Sequence, residues 1–338
     1  MKHSTVLAAL AVLTASGAAA QAGGLPAAPD AWISEVQGDH PLVGLLWNVP
    51  ESREAQPREL AEAAASASYV LLGETHDNPD HHRLQAWIVE AMLTQDSRPA
   101  LVFEMIREDQ AAALQAHLAE SPGDAEGLGP AVEWEERGWP DWSMYKPIAE
   151  AAMAAGLAIH AGDVARREQE AAARQGFEAL DESKVSRLAL DRALPEGQHE
   201  ALEEQLMAAH CDMIPEEAIP AMVRVQRLRD AAMADALIDA ATNAETGQAV
   251  LIAGREHVRA DRGVPWYLRA RIDSPDALSV GLMQVSEGLD SIEDYLPDIE
   301  AAQAAYDYLW FTPRPHDRDP CEEMRRQMEE HQRQRDEG

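Results

Sequence analysis

The sequence predicts an α/β protein with a largely parallel central sheet flanked by helices, and with a helical insertion that covers the carboxyl ends of the strands. Short apolar runs of the kind found in buried strands alternate along the chain with helical patterns. Such alternation favours a parallel sheet, because each crossover helix returns the chain to the same edge. In addition, residues 166–248 are mostly helical in pattern and rich in Ala, Glu and Arg, which predicts the insertion.

Five segments have the composition of short buried strands. They are residues 68–72, 100–103, 157–160, 249–253 and 278–285. Asp80 is positioned to cap the helix after the first strand, where Leu84, Trp87, Ile88 and Ala91 recur on one helical face. Further helices are predicted over residues 108–118 and 147–155.

The N-terminus has the pattern of a secretory signal peptide. Lys2 and His3 precede an apolar run over residues 6–13, and small residues up to Ala20 supply a cleavage site. The sequence therefore predicts a signal peptide at 1–20, a single domain over 21–315 and a charged tail at 316–338. We expect an exported protein, periplasmic in a Gram-negative source and soluble after cleavage.

The charge balance excludes two classes of partner. The 338 residues include 28 Lys and Arg against 60 Asp and Glu, which gives a net charge of −32. Nucleic acid and anionic membranes would be repelled, and no apolar run is long enough for stable membrane insertion. Cys211 and Cys321 can form one disulfide in an oxidising compartment, or remain two free thiols.

Acidic and imidazole side chains follow four of the predicted strands. They are Glu74 and His76, Glu104, His160 and Asp163, and His257. Because ligands of open α/β sheets bind outside the carboxyl ends of the strands, we expect these side chains to form one site. Such a set can bind a divalent metal or share acid and base roles. For any one of them, an ordinary ion pair or a buried structural histidine is the alternative.

Several segments, taken together, resemble the ChaN-like haem-binding family of the Tiki and erythromycin-esterase superfamily. The resemblance runs from about residue 68 to residue 320, and the pairing of GETH with GREHVRADRGVP is its most specific part. The matching segments are LLGETHDNPDHHRLQ (71–85), VFEMIREDQ (102–110), WSMYKPIAEAA (142–152), HCDMIP (210–215), VQRLRDAAMADAL (225–237) and LIAGREHVRADRGVPWYL (251–268).

The resemblance implies haem binding and a role in haem or iron uptake. Tyr145 is the implied axial ligand, since a phenolate suits ferric haem in carrier proteins. His210, Arg229 and His257 are the further residues implied to bind the cofactor, and a homodimer that clamps haem is implied as well. Trp134, Trp139 and Trp142 either flank the macrocycle or pack in the core.

The wider superfamily implies metal-dependent hydrolysis instead. In that alternative Glu74 or Glu104 activates a water, while His76 and His257 bind Mn, Zn or Co or act as acid and base. Erythromycin-esterase relatives are associated with a histidine base and no metal. A third alternative is a binding module that retains the fold without either activity.

An apolar stripe from Met222 to Ala236 has two interpretations. It is either a core helix, or a lid or dimer face that points Gln226, Arg229 and Asp230 toward a ligand. Polar residues on an otherwise buried helix favour the second interpretation.

Overall fold

A computed structural model describes residues 24–296 and 304–336. The predicted signal peptide at 1–20 lies outside these residues. Within them no helix is long and apolar enough to cross a bilayer. The strands are β1 (Leu46–Asn48), β2 (Arg53–Glu54), β3 (Tyr69–Glu74), β4 (Ala100–Arg107), β5 (Ile159–Asp163), β6 (Ala249–Gly254), β7 (Ala277–Gln284) and β8 (Tyr308–Thr312). The helices are α1 (Pro57–Ser66), α2 (Pro79–Leu93), α3 (Ala111–Glu120), α4 (Ala125–Ala131), α5 (Trp142–Ala154), α6 (Arg166–Gln175), α7 (Glu182–Arg187), α8 (Glu196–Ala209), α9 (Ile219–Asn243), α10 (Val264–Arg271) and α11 (Pro320–Asp336).

The strands form one sheet in the order β2-β1-β8-β7-β3-β6-β4-β5. All neighbours from β8 to β5 pair in parallel, whereas β1 pairs antiparallel with β8 and with β2. The predicted largely parallel sheet is therefore confirmed. Because β3, β6, β4 and β5 are consecutive neighbours, their carboxyl ends lie side by side.

Alternating strand residues divide the core into two layers. Leu72 of β3 faces a layer in which Ile88 of α2 and Ile148 of α5 are fully buried. Leu71 faces the opposite layer, which contains Leu228 and Leu237 of α9. Helices thus cover both faces, as the strand composition predicted. The α9 helix is a core helix and also carries polar residues to the edge of the sheet.

The structure corrects the predicted cap of α2. Asn78 is the residue that caps the helix, because its side chain accepts hydrogen bonds from the amides of Asp80 and His81. Pro79 at the first position needs no amide partner there. The buried Asp80 carboxylate instead accepts hydrogen bonds from the amides of Ile33 and Ser34.

Two other boundaries differ from the predicted ones. Helix α5 begins at Trp142, well before the predicted start at Pro147, since Asp141 caps it through the Ser143 amide. Strand β4 continues to Arg107, so Glu104 lies within a strand and not after its end. The sequence did not indicate β1, β2 and β8. Much of the predicted charged tail, residues 320–336, forms α11.

The two cysteines form a disulfide, which is the state expected in an oxidising compartment. Cys211 and Cys321 are bonded and are separated by 110 residues. The bond joins the turn after α8 to the first turn of α11. The predicted domain boundaries at 20 and 315 remain predictions.

Gly73 allows the loop after β6 to cross close to β3. A Cβ atom at Gly73 would collide with the Val258 side chain and lie 2.9 Å from the Arg255 Cα atom. We expect Gly73→Ala to lower the free energy of unfolding by about 1–3 kcal/mol, because backbone cannot move aside cheaply. Urea denaturation measures this. Gly197→Ala in α8 is the control, since no atom lies within 4 Å of that Cβ position; an equal loss in both variants would contradict the account.

Candidate functional site

The carboxyl edge of the sheet gathers a cluster of charged side chains. Glu74 ends β3, Glu104 lies in the adjoining part of β4, and Asp163 ends β5. His257 lies in the short helical turn that follows β6. The predicted residues from four strands therefore meet, apart from His160. That residue pairs in register with Val102 and lines a separate cavity of about 430 Å³ that Asp163 also borders.

One half of the cluster is an ion-pair network centred on Arg229 of α9. Its guanidinium donates to Glu104 Oε1 at 2.7 Å and to Asp163 Oδ2 at 2.8 Å. Glu104 Oε1 also lies 3.2 Å from His257 Nε2, and Glu104 Oε2 accepts the Gly254 amide at 2.6 Å. The network thus joins α9 to β4, β5 and the turn after β6.

Asp230 completes this network from the next position on α9. Its Oδ1 atom lies 2.5 Å from His257 Nδ1, so both ring nitrogens of His257 face carboxylates. Gln226, one turn earlier, also lies 3.0 Å from Nδ1. Gln226, Arg229 and Asp230, the three polar residues noted on this helix in the sequence, therefore all point toward the cluster.

The other half of the cluster is built on Glu74. Its Oε1 atom accepts hydrogen bonds from His76 Nδ1 and from the Tyr145 hydroxyl, each at 2.8 Å. Glu74 and Tyr145 are buried, whereas the His76 side chain is 36% exposed. The Trp139 ring meets the His76 ring edge-on, with centroids 5.1 Å apart. Among Glu74, His76 and Tyr145, His76 is therefore the side chain that solvent reaches.

A buried layer of histidines supports the Glu74 half. The His82 ring lies against the Tyr145 ring, with centroids 3.8 Å apart. His82 Nδ1 faces the Gln85 amide oxygen, and its Nε2 faces the His76 carbonyl oxygen. Since Gln85 donates its amide nitrogen to the Leu72 carbonyl, both His82 nitrogens face acceptors.

Neighbouring opposite charges within the cluster shift the pKa values of its histidines and of Glu104. Burial disfavours the charged form of His257, but Glu104 and Asp230 outweigh it and raise its pKa to about 10. Burial likewise opposes charge on His76, and Glu74 raises its pKa to about 9. Burial alone would raise the pKa of Glu104, yet His257 and Arg229 hold it well below its usual value. These shifts favour the imidazolium forms of His257 and His76 and the ionised form of Glu104.

The Glu104–His257 half of the cluster does not fit a resident divalent metal, whereas Glu74 Oε2 in the other half has no hydrogen-bond partner. Both Glu104 oxygens accept hydrogen bonds, and both His257 nitrogens face acidic partners. A metal would require neutral imidazoles and open carboxylate oxygens. The Arg229 guanidinium already supplies the cation between Glu104 and Asp163. In agreement with this chemistry, no metal-ligating group of three side chains occurs in the described part of the chain.

The surroundings of Tyr145 and His210 bear on their predicted part in cofactor binding. Tyr145 is fully buried, and burial together with the Glu74 charge raises the pKa of its hydroxyl well above 10. Its hydroxyl is a donor within the cluster, and this setting opposes the phenolate that an axial ligand would supply. His210 follows α8 and hydrogen bonds the Leu206 carbonyl of that helix, not the cluster.

Sequence reasoning missed the supporting residues. The roles of His81, His82 and Asn78 were not predicted, although the segment HDNPDHH carries an unusual density of imidazoles and turn formers. His81 Nδ1 accepts the Thr75 amide and its Nε2 faces the Thr312 hydroxyl. These contacts fix the loop that carries His76. Trp139 was named only as one of three tryptophans that could flank haem.

Comparisons with known proteins agree with this architecture. A family model described as "Haem-binding uptake, Tiki superfamily, ChaN" matches residues 60–268. A solved structure described as cofacial haem binding to ChaN of Campylobacter jejuni is 19% identical, with a TM-score of 0.59. The match covers 78% of this chain and 95% of that one. At this identity the likeness shows the fold.

Two further solved structures are more distant. The type III effector HopBA1 is 14% identical with a TM-score of 0.43, over 81% of this chain and 98% of that one. An erythromycin esterase in its open conformation is 13% identical with a TM-score of 0.43, over 78% and 94%. No curated protein matches the sequence.

The raised pKa of His257 predicts a pH dependence of stability. A pKa raised from 6.5 to about 10 contributes stability that is complete below pH 6.5 and is lost as pH rises through about 10. We expect His257 to make the unfolding free energy fall across this window by up to about 1.4 kcal/mol per pH unit, one proton's worth, and His76 to add to the fall up to about pH 9. His257→Gln should therefore reduce the slope of the profile, most clearly between about pH 9 and 10. Urea denaturation at several pH values checks this, with the 43% exposed His199 as the control in His199→Gln; identical wild-type and His257→Gln profiles would refute it.

Proposed function

The chain belongs to the haem-binding uptake family of ChaN in the Tiki superfamily, and from that membership we propose that it binds haem. The observation that carries the proposal is the extent of the family match. It reaches from α1 to α10, and residues 60–268 include every member of the charged cluster. The cluster is therefore part of the region that defines the family.

Haem presents two carboxylates and an apolar macrocycle to a binding site. The cluster offers the cationic His76 for these carboxylates at its solvent face. Arg255, in the turn after β6, is a further cation and is 31% exposed. The Trp139 ring beside His76 offers an aromatic contact. Bound haem would supply a ferric iron and an extended π system. We propose that His76 is the cluster residue that meets haem.

The other residues implied by the resemblance have indirect roles in this proposal. Arg229 and His257 order the cluster behind His76 through Glu104. Tyr145 holds the Glu74 carboxylate toward His76. His210 has no assigned part in haem contact, since its hydrogen bond lies within the α8 end.

We also propose that the protein is exported and acts in haem or iron uptake. The signal-peptide pattern at residues 1–20 supports secretion to a periplasm, where a haem carrier would act in haem or iron uptake. We also propose a homodimer, because cofacial haem binding is described for the Campylobacter jejuni protein.

Hydrolysis without a metal is the second candidate. The observation that favours it is the Glu74–His76 pair beside an Arg229 network, in which an imidazolium reaches solvent while its carboxylate partner is buried. A cationic His76 can donate a proton to a leaving group, and Glu74 keeps the ring oriented. Such an activity would fall as pH rises through about 9.

A hemin titration followed by absorbance tests the first proposal. We expect a saturable Soret shift with the wild-type protein. His76→Ala should weaken hemin affinity by roughly tenfold or more, since it removes a charge-assisted contact of about 1.4 kcal/mol. Tyr145→Phe should keep the shift. His199→Ala, on the exposed face of α8, is the matched control.

The two variants separate the alternatives. Loss of the shift in Tyr145→Phe alone would make Tyr145 the ligand and contradict the role of His76. A wild-type protein without any shift would contradict haem binding altogether.

An assay with an unactivated alkyl ester, whose alcohol must be protonated as it leaves, tests the second candidate when the released acid is followed by titration. If the cluster hydrolyses esters, His76→Ala should reduce kcat/KM by 10²-fold or more, the usual worth of an acid–base group. Retention of activity in His76→Ala would remove this candidate. His199→Ala should leave the rate unchanged.

A further inference from the structure

The segment that leaves β8 runs directly beside the loop of His76. We call residues 313–320 the C-terminal strap. The Pro313 carbonyl accepts a hydrogen bond from the Asn78 side chain, and Arg314 exchanges two backbone hydrogen bonds with Val36. The start of the strap is therefore fixed to the site loop and to the N-terminal segment.

The middle of the strap is bonded to the neighbour of His76. His316 Nε2 lies 2.7 Å from the Asp77 carboxylate, and both side chains are partly exposed. Beyond His316, residues 317–320 are exposed. The strap has little apolar surface to bury, so packing alone would hold it weakly.

The far end of the strap is covalently attached to the helical insertion. Cys321 is bonded to Cys211 in the turn after α8, with Cα atoms 5.6 Å apart. Helix α8 packs on the first turns of α9 through a small apolar cluster. Its buried members are Leu194, Leu202, Leu206, Ile219 and Val223. The same α9 helix carries Arg229 and Asp230 into the charged cluster.

The part of the strap between its contact with the His76 loop and its disulfide is short. Five residues from His316 to Cys321 span at most about 18 Å when extended. The loop of His76 and the α8 turn are therefore held near each other by one short peptide with a covalent bond at its end. Neither cysteine belongs to the buried core, so this bond joins surface elements.

We propose that the C-terminal strap and the Cys211–Cys321 disulfide form a latch that holds the α8–α9 insertion against the His76 loop and restricts access to the cluster. Opening the latch requires two electrons from a dithiol reductant, which becomes a disulfide while Cys211 and Cys321 become thiols. Among the described residues, the contacts that still tie the released strap to the site loop and the N-terminal segment are the His316–Asp77 pair and those of Pro313 and Arg314. This latch is independent of the ligand that the cluster binds.

Hydrogen exchange measured by mass spectrometry tests the latch without any ligand. We expect the double variant Cys211→Ser/Cys321→Ser to exchange at least tenfold faster than the oxidised wild type in residues 75–78, 206–225 and 313–320. Peptides from β3, β4 and β6 should be unchanged. Wild-type protein treated with dithiothreitol should match the variant.

Three other outcomes would overturn the proposal. Unchanged exchange in residues 75–78 would mean that the disulfide does not act on the site loop. Faster exchange throughout the sheet would mean that it stabilises the whole fold and is not a latch. Should the double variant fail to fold, reduced wild type decides, and wild-type exchange rates in that sample would equally refute the latch. His316→Gln, which keeps the disulfide, should accelerate exchange in 75–78 but not in 206–225.

Discussion

The ion pair between Glu104 and Arg229 is the interaction on which the site depends. Glu104 lies within β4 and is 1% exposed, so its charge has no solvent to stabilise it. A buried carboxylate needs a partner and several hydrogen bonds, and Arg229, His257 and the Gly254 amide supply them. Removing Arg229 would take away one of its two close cationic partners and would leave Asp163 without its guanidinium contact. Helix α9 is thus fixed to the sheet by charge as well as by its apolar face.

Because the charged side chains of the cluster share partners, the charge of each depends on the others. His257 is held cationic by carboxylates on both of its nitrogens, and Arg229 fills the place between Glu104 and Asp163. Charges in so enclosed a site cannot be exchanged one at a time without cost. His76 is the most exposed side chain of the cluster, so in our proposal a ligand would meet an imidazolium backed by Glu74. That arrangement suits an anionic group on the ligand, as in haem or in a developing leaving group.

Much of the fold followed from sequence, because buried strands and crossover helices leave strong periodic patterns. Segments ending near Glu74 and Gly254 were predicted to within about two residues. Strands β1, β2 and β8 were missed, since their pairing depends on contacts distant in sequence. The meeting of Glu74, Glu104, Asp163 and His257 was predicted from strand ends alone. The central place of Arg229 and the burial of Tyr145 were not, because both depend on how α9 and α5 pack.

The protonation state of His257 tests the central claim most directly. Imidazole ¹⁵N chemical shifts of the wild-type protein, followed by NMR across neutral and alkaline pH, report whether each ring is charged. The account predicts that the His257 ring stays an imidazolium at pH 8 and loses its proton only near pH 10. A ring that titrates near its ordinary value of 6.5 would contradict the ion-paired cluster. It would also return His257 to the role of a neutral metal ligand.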